Sequence, residues 1–242
     1  MSSTSIRQIN PNILTFTQPF SRSNLFKVGL RGSAIRLANN EVFIINPVNA
    51  QEDETLIKSK LDELGKVKWI ACPNTKHHLY AKKYKEWYPD AQMIGMEGLP
   101  AKKKDLKFDQ ILGITSSKEK FGYESEIESV YFSGFINRDV AFYHRPTKTM
   151  FVADLLFNLP AIEAYSVGKA QASSEKIPKS FMNPWSFWQK AFLFLAGLKN
   201  RKEMKKDLKK VSEWEFERIV MCHGEIIEQN AKDAWNSAYS WY

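Results

Sequence analysis

Two cysteines in 242 residues, Cys72 and Cys222, are too few for a disulfide framework, and their scarcity points to a reducing, cytoplasmic setting. No run of about 18 apolar residues occurs, which removes a membrane-spanning helix. The start of the chain, Met1 to Arg7, lacks an apolar segment, so no secretory signal is expected. Pro- or Gly/Ser-rich linkers and internal repeats are also missing, and the chain reads as a single domain over 1–242. Rings are not scarce. Sixteen Phe, nine Tyr and seven Trp can fill a core without a metal or disulfide staple. Basic residues exceed acidic ones to give a net charge of +8, which bears on solubility and attraction to anions rather than on fold.

After Pro11 the pattern is of short β-type runs at Ile13 to Thr17, Leu25 to Val28, Ala34 to Leu37 and Val42 to Ile45. Asn39 and Asn40 join the last two, because Asn tolerates the positive φ of a tight turn. The period then changes. Asp53 and Glu54 precede Leu56, Ile57, Leu61 and Leu64, and Gly65 follows, which predicts a helix with an acidic first turn. A strand at Val67 to Ala71, a helix from near His77 carrying Leu79, Tyr80, Tyr84 and Trp87, and a strand at Gln92 to Ile94 complete a βαβ pattern. Strand character returns at Val130 to Phe132, Val140 to Tyr143 and Met150 to Ala153, the last two joined through a Pro146 turn.

A polar, Ser-rich loop or cap is expected from Ala161 to Ser180, an apolar helix from Pro184 to Leu198 and a basic helix from Asn200 to Val211. A strand at Ile219 to Cys222 and a helix at Gln229 to Ala238 close the chain. The architecture this predicts is a four-layer αββα sandwich, or failing that a three-layer α/β sheet, with a helical insertion at about 161–212.

Ligand-type side chains sit just past strands, where α/β sheets place their ligands. His77 and His78 follow the strand that ends at Ala71, Asp154 follows Phe151 to Ala153, and His223 follows Ile219 to Cys222. Imidazole and carboxylate are donors of metal-ligand type. Each has an ordinary alternative: a residue beside a helix start for His77, packed imidazoles for His78 and His223, and a turn cap for Asp154.

The order of these motifs resembles the metallo-β-lactamase fold. Ile70 to Tyr80 is similar to its H-x-H-x-D-H loop, Met150 to Leu155 to its L-F-x-G-D-x-L segment, and Val220 to Gly224 to its P-G-H-G. More narrowly, the stretches from Pro73 to Leu79, Tyr143 to Thr149 and Ala153 to Asn158 look like an uncharacterised branch of that superfamily. The resemblance implies an αββα sandwich and puts Pro73, Thr75 and Phe135 where three imidazoles of a first metal site would stand. It puts His77, His78, Asp154 and His223 at the second site, with Asn46 replacing a strand-end Asp. The resemblance thus implies a degenerate motif and one divalent ion at most, zinc before iron or manganese, or no ion at all.

Two functions therefore stand side by side: a mononuclear metal-dependent hydrolase of a small ester, lactone or phosphodiester, and a non-catalytic binding or scaffold member of the fold. The hairpin register sets Asp139 opposite Asp154, as a general base or supporting acid at the mouth of the site. The same register holds His144 about 16 Å from Asp139, outside it. Trp185, Trp188 and Phe192 would line a pocket or a homodimer surface on the 184–198 helix. The lysines of the 200–211 helix suit RNA or anionic lipid, but without interleaved aromatics they give no strong nucleic-acid signal.

Overall fold

The first pairing involves a strand that the sequence pattern hides. In the computed structural model, which describes residues 3–22, 26–115, 119–167 and 181–242, β1 (Ser5–Asn10) runs antiparallel to β2 (Ile13–Gln18), with Ile6 opposite Phe16. Its sequence SIRQIN has only two apolar residues and sits half-exposed on a sheet edge, so the period-2 signal is weak. β5 (Leu30–Arg36) and β6 (Glu41–Ile45) continue the meander, turning at Asn40, where φ is +63°. A short hairpin of β3 (Ser21–Arg22) and β4 (Phe26–Lys27) precedes them.

Helical crossovers then make the rest of this sheet parallel. α1 (Glu54–Leu64) leads to β7 (Lys66–Ala71), α2 (Ala81–Trp87) to β8 (Gln92–Met96), and α3 (Leu99–Lys102) to β9 (Gln110–Leu112). The seven strands lie in the order β1-β2-β5-β6-β7-β8-β9. A second sheet pairs β10 (Ile127–Phe132), β11 (Asp139–His144) and β12 (Thr149–Val152) antiparallel, and adds β13 (Arg218–Met221) parallel to β12. Between β12 and β13 the chain passes through α4 (Phe187–Ala196) and α5 (Arg201–Ser212), and α6 (Ala231–Ala238) comes after β13.

Alternation along the second sheet accounts for four layers. Val140, Phe142, Phe151 and Val220 join the core between the sheets, with Phe43, Ile44 and Trp69. Their neighbours Ala141, Tyr143, Met150, Val152, Ile219 and Met221 point the other way, into a second core with Met204, Val211 and Trp235 of α5 and α6. The result is a mixed α/β fold of two stacked sheets with helices on the outside. No helix among the described residues is long and apolar enough to cross a membrane.

Two local expectations change. α2 starts at Ala81, four residues past His77, and Leu79 is 61% exposed instead of sharing the face of buried Tyr84. The cause is a turn at Asn74 that ends in a separate helix start. The expected loop at 161–180 begins with a 3₁₀ turn at Glu163–Tyr165, and its remainder over 168–180 lies outside the described residues, as does Leu25.

One side chain clasps the first sheet to the end of β13. Arg31 is 2% exposed, and its guanidinium donates to Thr17 Oγ1 at 3.1 Å, to the Met221 and Gly224 carbonyls at 2.9 and 2.6 Å, and to Glu163 Oε2 at 3.2 Å. A planar fork with five donors suits this set, and an ammonium does not. Replacing Arg31 by Met takes one of several partners from the half-buried Glu163 carboxylate, which keeps Thr17 and Arg7, and strips a buried donor from the Met221 and Gly224 carbonyls. The change is expected to cost ~3–5 kcal/mol in urea unfolding. A loss below about 1 kcal/mol would show that the clasp is dispensable.

Candidate metal centre

Four strand ends meet at one edge of the sandwich. After β7 the chain turns at Asn74, fully buried, whose Oδ1 accepts from the backbone N–H groups of Lys76 and His77 at 2.8 and 2.9 Å. Its Nδ2 donates to Asp139 Oδ2 at 2.6 Å and to Asp154 Oδ2 at 2.9 Å. Every bond would be lost if the amide were flipped, so the orientation is fixed by its partners. Asn74 thus aims the His77 backbone and ties together two carboxylates.

The β11–β12 hairpin supplies both acids. Phe142 opposes Phe151, a register that continues to Asp139 and Asp154, and the Asp154 N–H donates to Asp139 Oδ2 at 3.0 Å. Asn137 Nδ2 also donates to Asp154 Oδ2, at 2.7 Å. Oδ2 is therefore saturated, and Oδ1 faces the imidazoles.

Each imidazole has its far nitrogen engaged. His223 Nδ1 lies 2.6 Å from the Gly29 carbonyl, which only accepts, so Nδ1 carries the proton and the neutral ring presents a lone pair at Nε2. The Phe157 ring stacks on it, with centroids 5.3 Å apart and planes 4° from parallel. His77 Nδ1 lies 3.0 Å from Asn46 Oδ1, while Asn46 Nδ2 donates to the Arg31 carbonyl at 2.8 Å. Asn46 sits just past β6 at φ +56°, a left-handed position that Asn accepts more readily than most residues. Hydrogen bonds to the second nitrogen are what orient histidines that bind metals.

Three atoms remain, and they converge. His77 Nε2 is 3.2 Å from His223 Nε2, Asp154 Oδ1 is 3.4 Å from the former and 3.6 Å from the latter, and all three side chains are buried. Corners of a tetrahedron with bonds of ~2.1 Å are about 3.4 Å apart, so the triangle has the dimensions of three zinc ligands around one centre. The donor set and spacing fit a divalent ion. Among the described residues, no fourth ligand-type side chain joins the group.

Without an ion, charge balances within the cluster. Burial favours neutral His77, but the Asp154 carboxylate, by charge and hydrogen bond, and the adjacent Cys222 outweigh it and hold His77 well above the ordinary histidine range. Burial and the charge on His77 push His223 down to about 4. Asp154 lies well below the usual carboxylate range: burial opposes ionisation, and the charge and hydrogen bond of His77 override it. Burial and the neighbouring Asp154 push Asp139 up to about 7.

Two residues expected at the site are elsewhere. His78 stands outside the converging group: adjacent side chains on a turn diverge, and its carbonyl accepts from Ala81 N at the start of α2. Burial and Lys102 lower its pKa, and its Nδ1 has no hydrogen-bond partner among the described residues. Asp139 is not at the mouth. It is fully buried behind Asp154, with Oδ1 accepting from Val140 N and Oδ2 from Asn74 and Asp154 N. His144 is at the opposite end of β11, against Thr147 Oγ1 at 2.8 Å. Of the positions assigned to a first metal site, Phe135 is buried in the second core and Thr75 Oγ1 donates to the Asn137 carbonyl. Neither offers a metal donor.

Asn74 and Asn137 escaped the sequence reading because amides carry no distinctive motif. An Asn two and three residues before the N–H groups it caps is the only available signal. Two surface hollows of about 630 and 460 Å³ lie away from this centre, the first by Arg36 and Pro146, the second by Trp87 and Pro89.

Comparison with known proteins agrees with the fold. Residues 10–194 match the family described as "Domain of unknown function (DUF4336)", and the chain belongs to that family. No curated protein matches. Among solved structures, the DIM-1 metallo-β-lactamase superposes with a TM-score of 0.64 at 14% identity, over 100% of this chain and 99% of that one. A metallo-β-lactamase from Pontibacter korlensis gives 0.62 at 12%, over 98% and 97%. A flavo di-iron protein mutant from Thermotoga maritima gives 0.67 at 14%, over 99% of this chain and 62% of that one. The fold is therefore the metallo-β-lactamase fold.

The Asn74 hub makes a direct prediction. Asn74→Ala leaves two buried carboxylates each short of a donor and the His77 N–H unpaired, and is expected to cost ~3 kcal/mol. Urea unfolding at neutral pH reads this, and an effect within about 0.5 kcal/mol of zero would remove Asn74 from its central place.

Proposed function

We propose that the protein is a mononuclear metal-dependent hydrolase whose single ion is held by His77, Asp154 and His223. The observation that supports it most is the triangle of Nε2, Nε2 and Oδ1 at 3.2 to 3.6 Å, with the remaining polar atoms of all three side chains committed to other partners. Two imidazoles and a carboxylate suit zinc first, then iron(II) or manganese. Three protein ligands, rather than the four expected from sequence, leave the open position that catalytic zinc sites keep.

The chemistry such an ion supplies is polarisation of a carbonyl or phosphoryl oxygen and activation of water. The chain's own groups have distinct parts. Asp154 contributes the negative charge, and Asn74 and Asn137 keep its second oxygen from rotating inward. Asn46 and the Gly29 carbonyl lock the two rings, and Phe157 walls one side of His223. Asp139 positions Asp154, and its burial removes it as the base that takes a proton from substrate or water. A small ester, lactone or phosphodiester matches this chemistry. Two buried free cysteines support a cytoplasmic setting, and cores that share the second sheet support one domain over 1–242 with 161–212 as an insertion.

A second reading has its own support. His77 and Asp154 already form an ion pair without a metal, so the cluster is self-consistent in a non-catalytic binding member of the fold. Metal content separates the two. Protein equilibrated with zinc and then desalted is expected to retain one equivalent, and His77→Ala to retain none. Retention near zero in the parent protein favours the binding reading.

Proton linkage gives a further check. Asp154 and His223 are already deprotonated near neutral pH, while His77 holds a proton that metal binding must displace. Zinc binding at pH 7 is therefore expected to release one proton from His77 and a fraction from Asp139. Affinity should rise ~10-fold per pH unit until the pH passes the His77 pKa. Titration calorimetry in buffers of different ionisation enthalpy measures this, and proton-independent binding would place the ion elsewhere.

A further inference from the structure

Helix α4 breaks the pattern of a surface helix. Its sequence, FWQKAFLFLA, has one charged residue, Lys190, and is apolar on all sides, a composition found in buried helices. Yet only Gln189, Leu193 and Ala196 are buried, with Phe192 packed partly against the same core. Phe187 and Leu195 are 63% exposed and Trp188 is 56% exposed. Trp241 packs on Phe187 with ring centroids 5.3 Å apart, and Trp185 precedes the helix at 55% exposure, so the patch extends beyond α4. A contiguous set of large exposed rings marks a contact surface.

The charge beside the patch selects the occupant. Residues 190–210 hold eight Lys and Arg against Glu203 and Asp207, and so carry six of the chain's eight net positive charges. The two features are joined physically: the Arg201 guanidinium lies 4.5 Å from the centre of the Phe194 ring, and Phe194 packs against Trp241 at 6.0 Å. Bulky apolar side chains flanked by cations are what an anionic lipid surface binds, with Trp and Phe at the acyl boundary and Lys and Arg at the headgroups. A second copy fits less well, because a two-fold contact through this patch would set like-charged Arg201 and α5 lysines against one another. We propose that α4 and the start of α5 form a docking surface for anionic membranes. It holds the chain at the interface without spanning it.

Flotation of the full chain with vesicles tests this. The protein is expected to float with vesicles of phosphatidylcholine and phosphatidylserine, far less with phosphatidylcholine alone, and less at high salt. Trp188→Ser with Leu195→Ser, both at exposed positions, should lower partitioning ~10-fold or more while the circular dichroism spectrum is retained. Lys202→Glu with Lys206→Glu should lower it ~10-fold or more for anionic vesicles only. The proposal is overturned if the protein does not float, if it binds both vesicle types alike, or if the Ser pair leaves binding unchanged. It is also overturned if sedimentation shows a homodimer that the Ser pair dissociates while vesicle binding is absent.

Discussion

Two carboxylates buried side by side, Asp139 and Asp154, set the terms for everything around them. Neither charge is tolerable in a protein interior without compensation. The compensation comes from two segments: the loop after β7 supplies both the Asn74 amide and the His77 imidazole, the latter held by Asn46 after β6, and the turn before β11 supplies the Asn137 amide. Both sheets must therefore be in register for the acids to be satisfied. The same network orients the atoms that face the centre.

The two ends of the sandwich are not equivalent. At one end, strand termini carry Asn46, Asn74, Asp154 and His223, all buried, and Arg31 ties the β13 terminus to the first sheet through the carbonyls of Met221 and Gly224. Gly224 has φ +83°, and a Cβ there would lie 2.2 Å from the Asn158 carbonyl oxygen, so the turn that delivers His223 admits no side chain. At the other end, the hairpin closes at Arg145–Thr147 and His144 serves local packing. The buried ligand-type side chains are concentrated where the strands from both sheets finish.

Much of this was legible from residue pattern. The crossover helices and parallel strands from α1 to β8 follow from the change of period after Asn46, and the β11–β12 register follows from Pro146. β1 and β9 were hidden because short, half-polar edge strands carry little alternation. At the site, spacing alone could not separate His77 from His78. Their divergence depends on which backbone N–H groups Asn74 caps, a feature of three-dimensional structure rather than of sequence order. The amide partners were equally hidden, since an Asn becomes informative only once the carboxylate it serves is located.

The most direct test of the account is a cobalt(II) titration followed by visible absorption. One four-coordinate ion on His77, Asp154 and His223 predicts intense ligand-field bands that saturate at one equivalent. They should disappear in His223→Ala and persist in His78→Ala. Bands that survive loss of His223, or that vanish with His78, would contradict it.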